Sequence, residues 1–318
     1  MNEPSYELTP DKRIYVAGHR GMVGSAIWRR LEAEGFTNLV GRTSTELDLR
    51  DRPTVDQFFD ELKPDVVILA AAKVGGILAN STRPVEFLSD NLRIQTNVID
   101  AAHRVGVERL LFLGSSCIYP KFAEQPIKEE ALLTGKLEPT NDAYAIAKIA
   151  GILHVQAMRR EYGRAYISAM PTNLYGPNDN FDLETSHVLP AMIRKFHDAK
   201  KAGASTVELW GSGTPRREFL HVDDLASACM HLLRRYDDEL HINVGVGEDV
   251  SIRELAEIVA RQVGFGGTVA WDGTKPDGTP RKLMDVSRLT GAGWGPDISL
   301  VAGIASTYDW FIAQGAVT

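Results

Sequence analysis

Cysteine is scarce in this chain: Cys117 and Cys229 are the only two in 318 residues. That is too few for a disulfide framework, and they lack the C-x-x-C spacing of zinc and dithiol redox centres. Positive charge is not in excess either. There are 35 Lys and Arg against 42 Asp and Glu, a net charge of −7, and basic residues occur as scattered pairs such as Arg29-Arg30 and Arg159-Arg160. A nucleic-acid backbone or an anionic membrane surface would meet no complementary face, so neither is expected as a partner. Long apolar runs are also missing. The most apolar stretch, residues 66–79, is interrupted by Lys73, Gly75 and Gly76, and residues 1–12 are polar. Neither membrane insertion nor export is expected, and a cytoplasmic location fits. The eight histidines show no H-E-x-x-H or comparable spacing, so no metal is expected.

What is present is an apolar fraction of 44% with 24% charged residues, enough to exclude disorder and to build a sizeable core. Short β-branched runs alternate with longer segments of helical spacing, a pattern that gives parallel strands joined by crossover helices. Residues 13–17 read as a buried strand and 21–34 as a helix with Val23, Ile27 and Leu31 on one face. A strand at 38–41, a helix at 53–62 opening on Pro53, and a strand at 65–71 complete a β-α-β-α-β unit. A helix at 84–104, a strand at 110–113, a helix at 142–162 and a strand at 166–170 follow. The expected fold is α/β: a doubly wound parallel sheet of Rossmann type over residues 13–170, with a smaller C-terminal α/β substrate-binding lobe over 171–318. Loops rich in Gly and Pro mark that lobe, among them Tyr175-Gly176-Pro177 and Asp277-Gly278-Thr279-Pro280. The apolar run 242–246 reads as a strand returning to the main sheet.

The first strand runs into Gly18-His19-Arg20-Gly21-Met22-Val23-Gly24, a G-x-x-G-x-x-G loop that opens a helix. A tight turn needs a residue without Cβ, and close approach to a pyrophosphate needs another. The helix N-terminus then adds free N–H groups and a positive dipole end. Glycines that only let helix and strand pack are the plainer reading of the triplet alone; the complete β-α-β-α-β unit around it points to a dinucleotide. NAD-binding domains usually carry Asp or Glu at the end of the second strand, for the ribose 2′-OH. Here the chain reads Gly41-Arg42-Thr43-Ser44, without an acid, and Arg20 and Arg42 could bracket a 2′-phosphate. NADP is therefore the expected cofactor, with Asp48 and Leu49 at the adenine edge.

Tyr144 and Lys148 stand at i and i+4 on one helix face. A phenol of ordinary pKa near 10 needs a shift of about 3 units to exchange protons near neutrality, and the neighbouring ammonium is expected to supply part of it. The spacing alone also describes a surface helix pair. Ser115 and Cys117, directly after the fourth strand, support the catalytic reading, because open α/β sheets bind ligands at the carboxyl ends of their strands. Taken by themselves, Cys117 reads as a small buried hydrophobe, His187 as a capping or surface histidine, and Cys229 as a core residue. The stretch His221-Val222-Asp223-Asp224 reads as a strand end and a helix cap.

Several blocks, in order, carry a resemblance: the glycine loop, Ala70-Ala71-Ala72-Lys73-Val74-Gly75-Gly76, Gly114-Ser115-Ser116-Cys117-Ile118-Tyr119-Pro120, and Tyr144-Ala145-Ile146-Ala147-Lys148. It continues through Met170-Pro171-Thr172-Asn173-Leu174-Tyr175-Gly176-Pro177, Trp210-Gly211-Ser212-Gly213-Thr214-Pro215, Arg217-Glu218-Phe219-Leu220-His221 and Lys275-Pro276-Asp277-Gly278-Thr279-Pro280-Arg281-Lys282. Together they resemble the extended short-chain dehydrogenase/reductases, and within them the GDP-4-keto-6-deoxymannose epimerase-reductases. The resemblance implies that GDP-4-keto-6-deoxy-D-mannose is inverted at C3 and C5 and then reduced at C4 by NADPH, giving GDP-L-fucose. It implies catalytic roles for Ser115, Tyr144 and Lys148 at the C4 oxygen, and acid/base roles for Cys117 and His187. Cofactor contacts are implied for Gly18, His19, Arg20, Gly21, Met22, Val23, Gly24, Arg42, Ser44, Asp48, Leu49, Lys148, Pro171, Thr172, Asn173, Leu174 and His187. Substrate contacts are implied for Lys195, Trp210, Arg217, Asp277 and Arg281, and a homodimer through helices 84–104 and 142–162.

Ser44 and Lys195 depart from the arginines that better-known members carry; the second change exchanges a bidentate fork for a point charge. Two other readings stand beside this one. A nucleotide-sugar 4-epimerase or 4,6-dehydratase shares the glycine loop and the Tyr/Lys pair, but a dehydratase needs an acid pair where this chain has Ser116-Cys117. A non-catalytic NADPH-binding sensor would not need the complete Ser115, Tyr144 and Lys148 set.

Overall fold

The structure, a computed structural model, describes residues 5–315 apart from Glu184 and Pro276, so Pro276 of the last sequence block and the first four residues of the polar N-terminal stretch lie outside the described residues. The first half alternates as its pattern dictates. In chain order it forms β1 (Ile14–Ala17), α1 (Met22–Ala33), β2 (Leu39–Val40), α2 (Arg52–Leu62), β3 (Val66–Leu69), α3 (Ile77–Thr82), α4 (Pro84–Val105), β4 (Arg109–Leu113), α5 (Asp142–Tyr162) and β5 (Ala165–Pro171). The second half contributes β6 (Asn173–Tyr175), α6 (Val188–Ala202), β7 (Thr206–Trp210), β8 (Arg216–Arg217), β9 (Phe219–His221), α7 (Val222–Arg235) and β10 (Ile242–Val244). β11 (Val250–Ser251), α8 (Ile252–Val263), β12 (Thr268–Asp272), β13 (Arg281–Lys282), α9 (Ser287–Gly291) and α10 (Leu300–Ala313) complete the order.

Six parallel strands form the main sheet in the order β2-β1-β3-β4-β5-β10. Parallel strands buried on both faces read as continuous apolar runs, and here neighbouring residues serve opposite cores. Ile14, Val16, Val66 and Ile68 pack toward α1 and α7, whereas Tyr15, Val67 and Leu69 pack toward α2, α4 and α5. The strand order reverses between β1 and β3, and the carboxyl ends flanking that reversal are where open α/β sheets bind ligands. The strand expected at 65–71 stops at Leu69, leaving residues 70–76 as irregular backbone over the sheet edge.

A third core of α6, α8 and α10 against β7 and β9 builds the second unit. It reaches back into the first. β10 pairs with β5, and buried Tyr119, in the connection after β4, donates to Asn243 Oδ1 of β10 at 2.5 Å. Glu218, fully buried, accepts N–H bonds from Val246 (2.6 Å), Gly247 (2.8 Å) and Met284 (3.1 Å). One carboxylate thereby satisfies three backbone donors of irregular segments that no strand could serve.

Candidate active site

Every residue implied for cofactor, substrate or catalysis lines one cleft of about 1770 Å³. Single-ligand sites usually enclose about 300–1,000 Å³, so this volume suits two ligands side by side. At one end the glycine loop is shaped by contacts that exclude side chains. Gly18 has φ +85°, and a Cβ on it would lie 2.8 Å from the Ala71 backbone nitrogen; a Cβ on Gly24 would lie 2.0 Å from the Gly18 carbonyl. Gly21 caps α1 with no side-chain bond, leaving the helix's first N–H groups to the cleft. This cradle fits the pyrophosphate of a dinucleotide.

Arg20, Arg42 and Ser44 are exposed at the end expected for the adenosine ribose. An acid does stand there after all. Glu46, two residues past Ser44, folds back to accept the Thr43 N–H and hydroxyl, each at 2.7 Å, and those bonds hold its carboxyl below the usual range with help from Arg42 and Arg20. The charge available to a 2′-phosphate is thus two guanidiniums less a carboxylate. The Asp48 carboxylate is engaged by Arg50 at 2.8–3.2 Å.

At the centre, Ser115 caps a 3₁₀ turn (Ser116–Ile118) whose Cys117 N–H points to its Oγ at 3.4 Å. Lys148 is buried, donates to the Leu113 carbonyl at 2.7 Å, and lies 5.9 Å from the centre of the Tyr144 ring. The expected lowering of the phenol by this ammonium is not what the geometry produces. Burial pushes Tyr144 up, charge on Cys117 adds to it, and Ser115 opposes it. Burial also pulls Lys148 itself down to about 8, so its own charge is disfavoured in the same dry pocket. Burial raises the Cys117 thiol against the pull of Lys282, the Ser115 hydroxyl and Lys148. Solvent in the cleft reaches His187 at the start of α6, yet the protein around it lowers its pKa, with Lys282 adding. Pro171, Thr172, Asn173 and Leu174 form the adjoining wall, where the Asn173 amide donates to the Glu218 carbonyl at 2.8 Å.

At the far end, Trp210 is 59% exposed, with the ammoniums of Lys275 and Lys195 at 5.5 and 5.9 Å from its ring. Asp277 is occupied in shaping this rim: it accepts the Ser212 N–H at 2.7 Å and the hydroxyl at 2.8 Å. Arg281 is paired with Asp249, which also holds Arg216. Arg217 and Lys282 carry positive charge on the same wall, where Lys121 and Glu138 pair at 2.9 Å.

The model of the NAD dependent epimerase/dehydratase family matches residues 14–245. The chain belongs to that family. It is 63% identical over 300 residues to GDP-L-fucose synthase 1 of Arabidopsis thaliana, covering 94% of this chain and 93% of the relative. It is 56% identical to the GDP-L-fucose synthase of Escherichia coli (strain K12), covering 95% and 97%. Among solved structures, an NADP-bound GDP-L-fucose synthetase from Naegleria fowleri superposes with a TM-score of 0.91 at 30% identity, over 100% of this chain and 98% of that one. A GDP-6-OMe-4-keto-L-xylo-heptose reductase from C. jejuni superposes at 0.91 with 36% identity, over 97% and 100%.

Within this epimerase/dehydratase frame, sequence reading passed over Lys282, Glu46 and the Lys121–Glu138 pair. Lys282 adjoins Arg281 in the last block, and strand alternation sends the two neighbours to opposite sides. Both nevertheless line the cleft, and what a period-2 reading of Arg281-Lys282 could not supply is that Arg281 is held by Asp249.

Proposed function

We propose that the protein converts GDP-4-keto-6-deoxy-D-mannose to GDP-L-fucose by inversion at C3 and C5 followed by reduction of the C4 ketone. The observation that carries this is the single two-ligand cleft, in which Ser115, Cys117, Tyr144, Lys148 and His187 lie between a dinucleotide cradle and a cation–aromatic rim suited to a nucleoside diphosphate. The high identity to GDP-L-fucose synthases of a plant and a bacterium supports the choice of substrate. The glycine loop, with Arg20 and Arg42 at the 2′-phosphate, would hold NADPH, which would supply the hydride for C4.

The C4 ketone acidifies the C–H bonds at C3 and C5, and each inversion needs one group to remove a proton and another to return one on the opposite face. Cys117 and His187 have the right chemistry for that pair. Tyr144 and Ser115 hydrogen-bond the C4 oxygen, stabilising the enolate; in the reduction Tyr144 gives its proton to that oxygen. Lys148, near half-protonated at about pH 8, holds the cofactor ribose and replenishes the proton. Lys195, Trp210 and Arg217 take the nucleoside diphosphate. The same reading includes a cytoplasmic homodimer, in which exposed Ile146 and Leu153, one helical face of α5, would be covered.

The test is incubation of purified protein with GDP-4-keto-6-deoxy-D-mannose and NADPH in deuterated water, with mass and NMR analysis of the product. GDP-L-fucose bearing deuterium at C3 and C5 is expected. A C4-reduced product without deuterium at either carbon would leave a plain sugar-nucleotide reductase.

A further inference from the structure

The buried Lys148 ammonium makes, among the described residues, one hydrogen bond, to the Leu113 carbonyl at 2.7 Å, and no ion pair. An ammonium taken out of water without a counter-anion is costly, so something else must hold it. Two ring faces do. Its Nζ lies over the Phe112 ring at 4.9 Å from the centre and over the Tyr144 ring at 5.9 Å. Phe112 is the β4 residue before Leu113, fully buried on the side of the sheet that packs toward α4 and α5. A missing side chain admits its ring. Gly151, in the interior of α5 at i+3 from Lys148, has no Cβ; one built there would stand 2.4 Å from Phe112 Cζ and 2.9 Å from Gln95 Oε1. Gln95 of α4, itself buried, donates to the Ala147 carbonyl at 2.7 Å, so α5 is gripped one residue before the lysine. Glycine weakens a helix interior relative to alanine, and core packing alone would favour alanine at this position. The weakness makes sense if the Phe112 ring has to lie where it does.

We propose that Phe112 is a positioning residue of the reacting centre, whose ring face holds the Lys148 ammonium charged and in place beside Tyr144 without a counter-anion, with Gly151 leaving the room for that ring. The inference rests on the reading that Lys148 serves the reacting centre. A carboxylate in this position would tie the proton to the nitrogen and add a negative charge to a dry pocket, whereas an aromatic quadrupole attracts the cation and takes no proton. Burial pulls Lys148 down to about 8, and the ring face acts against that pull. The ammonium can then return a proton to Tyr144 once the phenol has given its own to the C4 oxygen. Charge on Cys117, from the turn after β4, also favours the ammonium. Other titratable groups on the elements around α5 are engaged elsewhere: Glu86 and Asp90 of α4 with Lys73, Asp100 with Arg52 and His154, Arg109 of β4 with Asp237, and the Tyr166 phenol of β5 with the Val107 carbonyl.

The experiment is a double-mutant cycle on the full chain without ligands: urea unfolding of wild type, Phe112→Leu, Lys148→Met and the pair, at about pH 6 and about pH 10. A ring–cation contact exists only while the nitrogen is charged in the folded protein, below its value of about 8. Coupling worth about fivefold in the unfolding equilibrium is therefore expected at the lower pH, falling to within about twofold of none at the higher. Phe112→Met keeps apolar bulk without a ring face and serves in the same cycle should Phe112→Leu fail to fold. Gly151→Ala should diminish the coupling as well, although alanine is the better helix former. In turnover, Phe112→Met should move the alkaline fall of C4 reduction about half a unit toward acid, a displacement that lost packing by itself does not produce. Coupling equal at both pH values, or an alkaline fall that does not move, overturns the proposal and leaves the role of Lys148 standing. A Lys148→Met enzyme that turns over within about threefold of wild type overturns that role itself.

Discussion

Tyr144 shows how little a residue's chemistry follows from its neighbour's charge alone. Lys148 is close, yet burial raises the phenol and lowers the ammonium together, so the phenol keeps its proton until substrate oxygen arrives while the ammonium titrates near 8. Tyr144→Phe should therefore cut C4 reduction by about 10²–10⁴-fold while NADPH titrations stay near wild type; turnover within threefold would exclude the role. Lys148 also makes a stability prediction. Its folded value of about 8 lies below its unfolded value of 10.5, so the unfolded chain binds more protons between them and its contribution rises as pH climbs through that window. The Tm of wild type relative to Lys148→Met should accordingly improve from pH 8 to 10.5, and a flat difference would mean that the ammonium is better solvated than its burial indicates. At the other end, Arg20→Ala should weaken NADPH far more than NADH. The gap will be narrower than for two unopposed arginines, because Glu46 offsets part of their charge.

At the scale of elements, the site depends on short strands held by side chains rather than by long ladders. β8 and β13 have two residues each, too few to set their own register, and Glu218 completes what the ladder lacks. Removing its carboxylate would strand the N–H groups of Val246, Gly247 and Met284 in a dry interior. Glu218→Ala should cost about 3 kcal/mol or more, read as a lowered urea midpoint, and should raise KM for the sugar nucleotide because Arg217 and Lys282 flank the staple. A variant as stable as wild type would show that water replaces the carboxylate.

Across the whole molecule, one cleft spans the reversal point of the sheet and the base of the second unit, and its volume predicts simultaneous occupancy. GDP and NADP+ should bind together, each Kd changing by less than about threefold when the other is saturating in calorimetric titrations; mutual exclusion would mean that the two ends overlap. The amino-acid sequence determined by itself what depends on local order: the alternation of buried runs and helical faces, the glycine loop whose missing Cβ atoms the Gly18–Ala71 contact demands, and the i, i+4 spacing of Tyr144 and Lys148. Those features are short-range, and composition and period encode them. Tertiary structure alone decided the rest. That Arg281 and Lys282 both reach the cleft depends on β13 pairing with a strand 65 positions earlier, and the Tyr144 and Lys148 pKa values depend on how completely distant segments exclude water. Burial and long-range pairing are properties of the assembled chain, and no local pattern carries them.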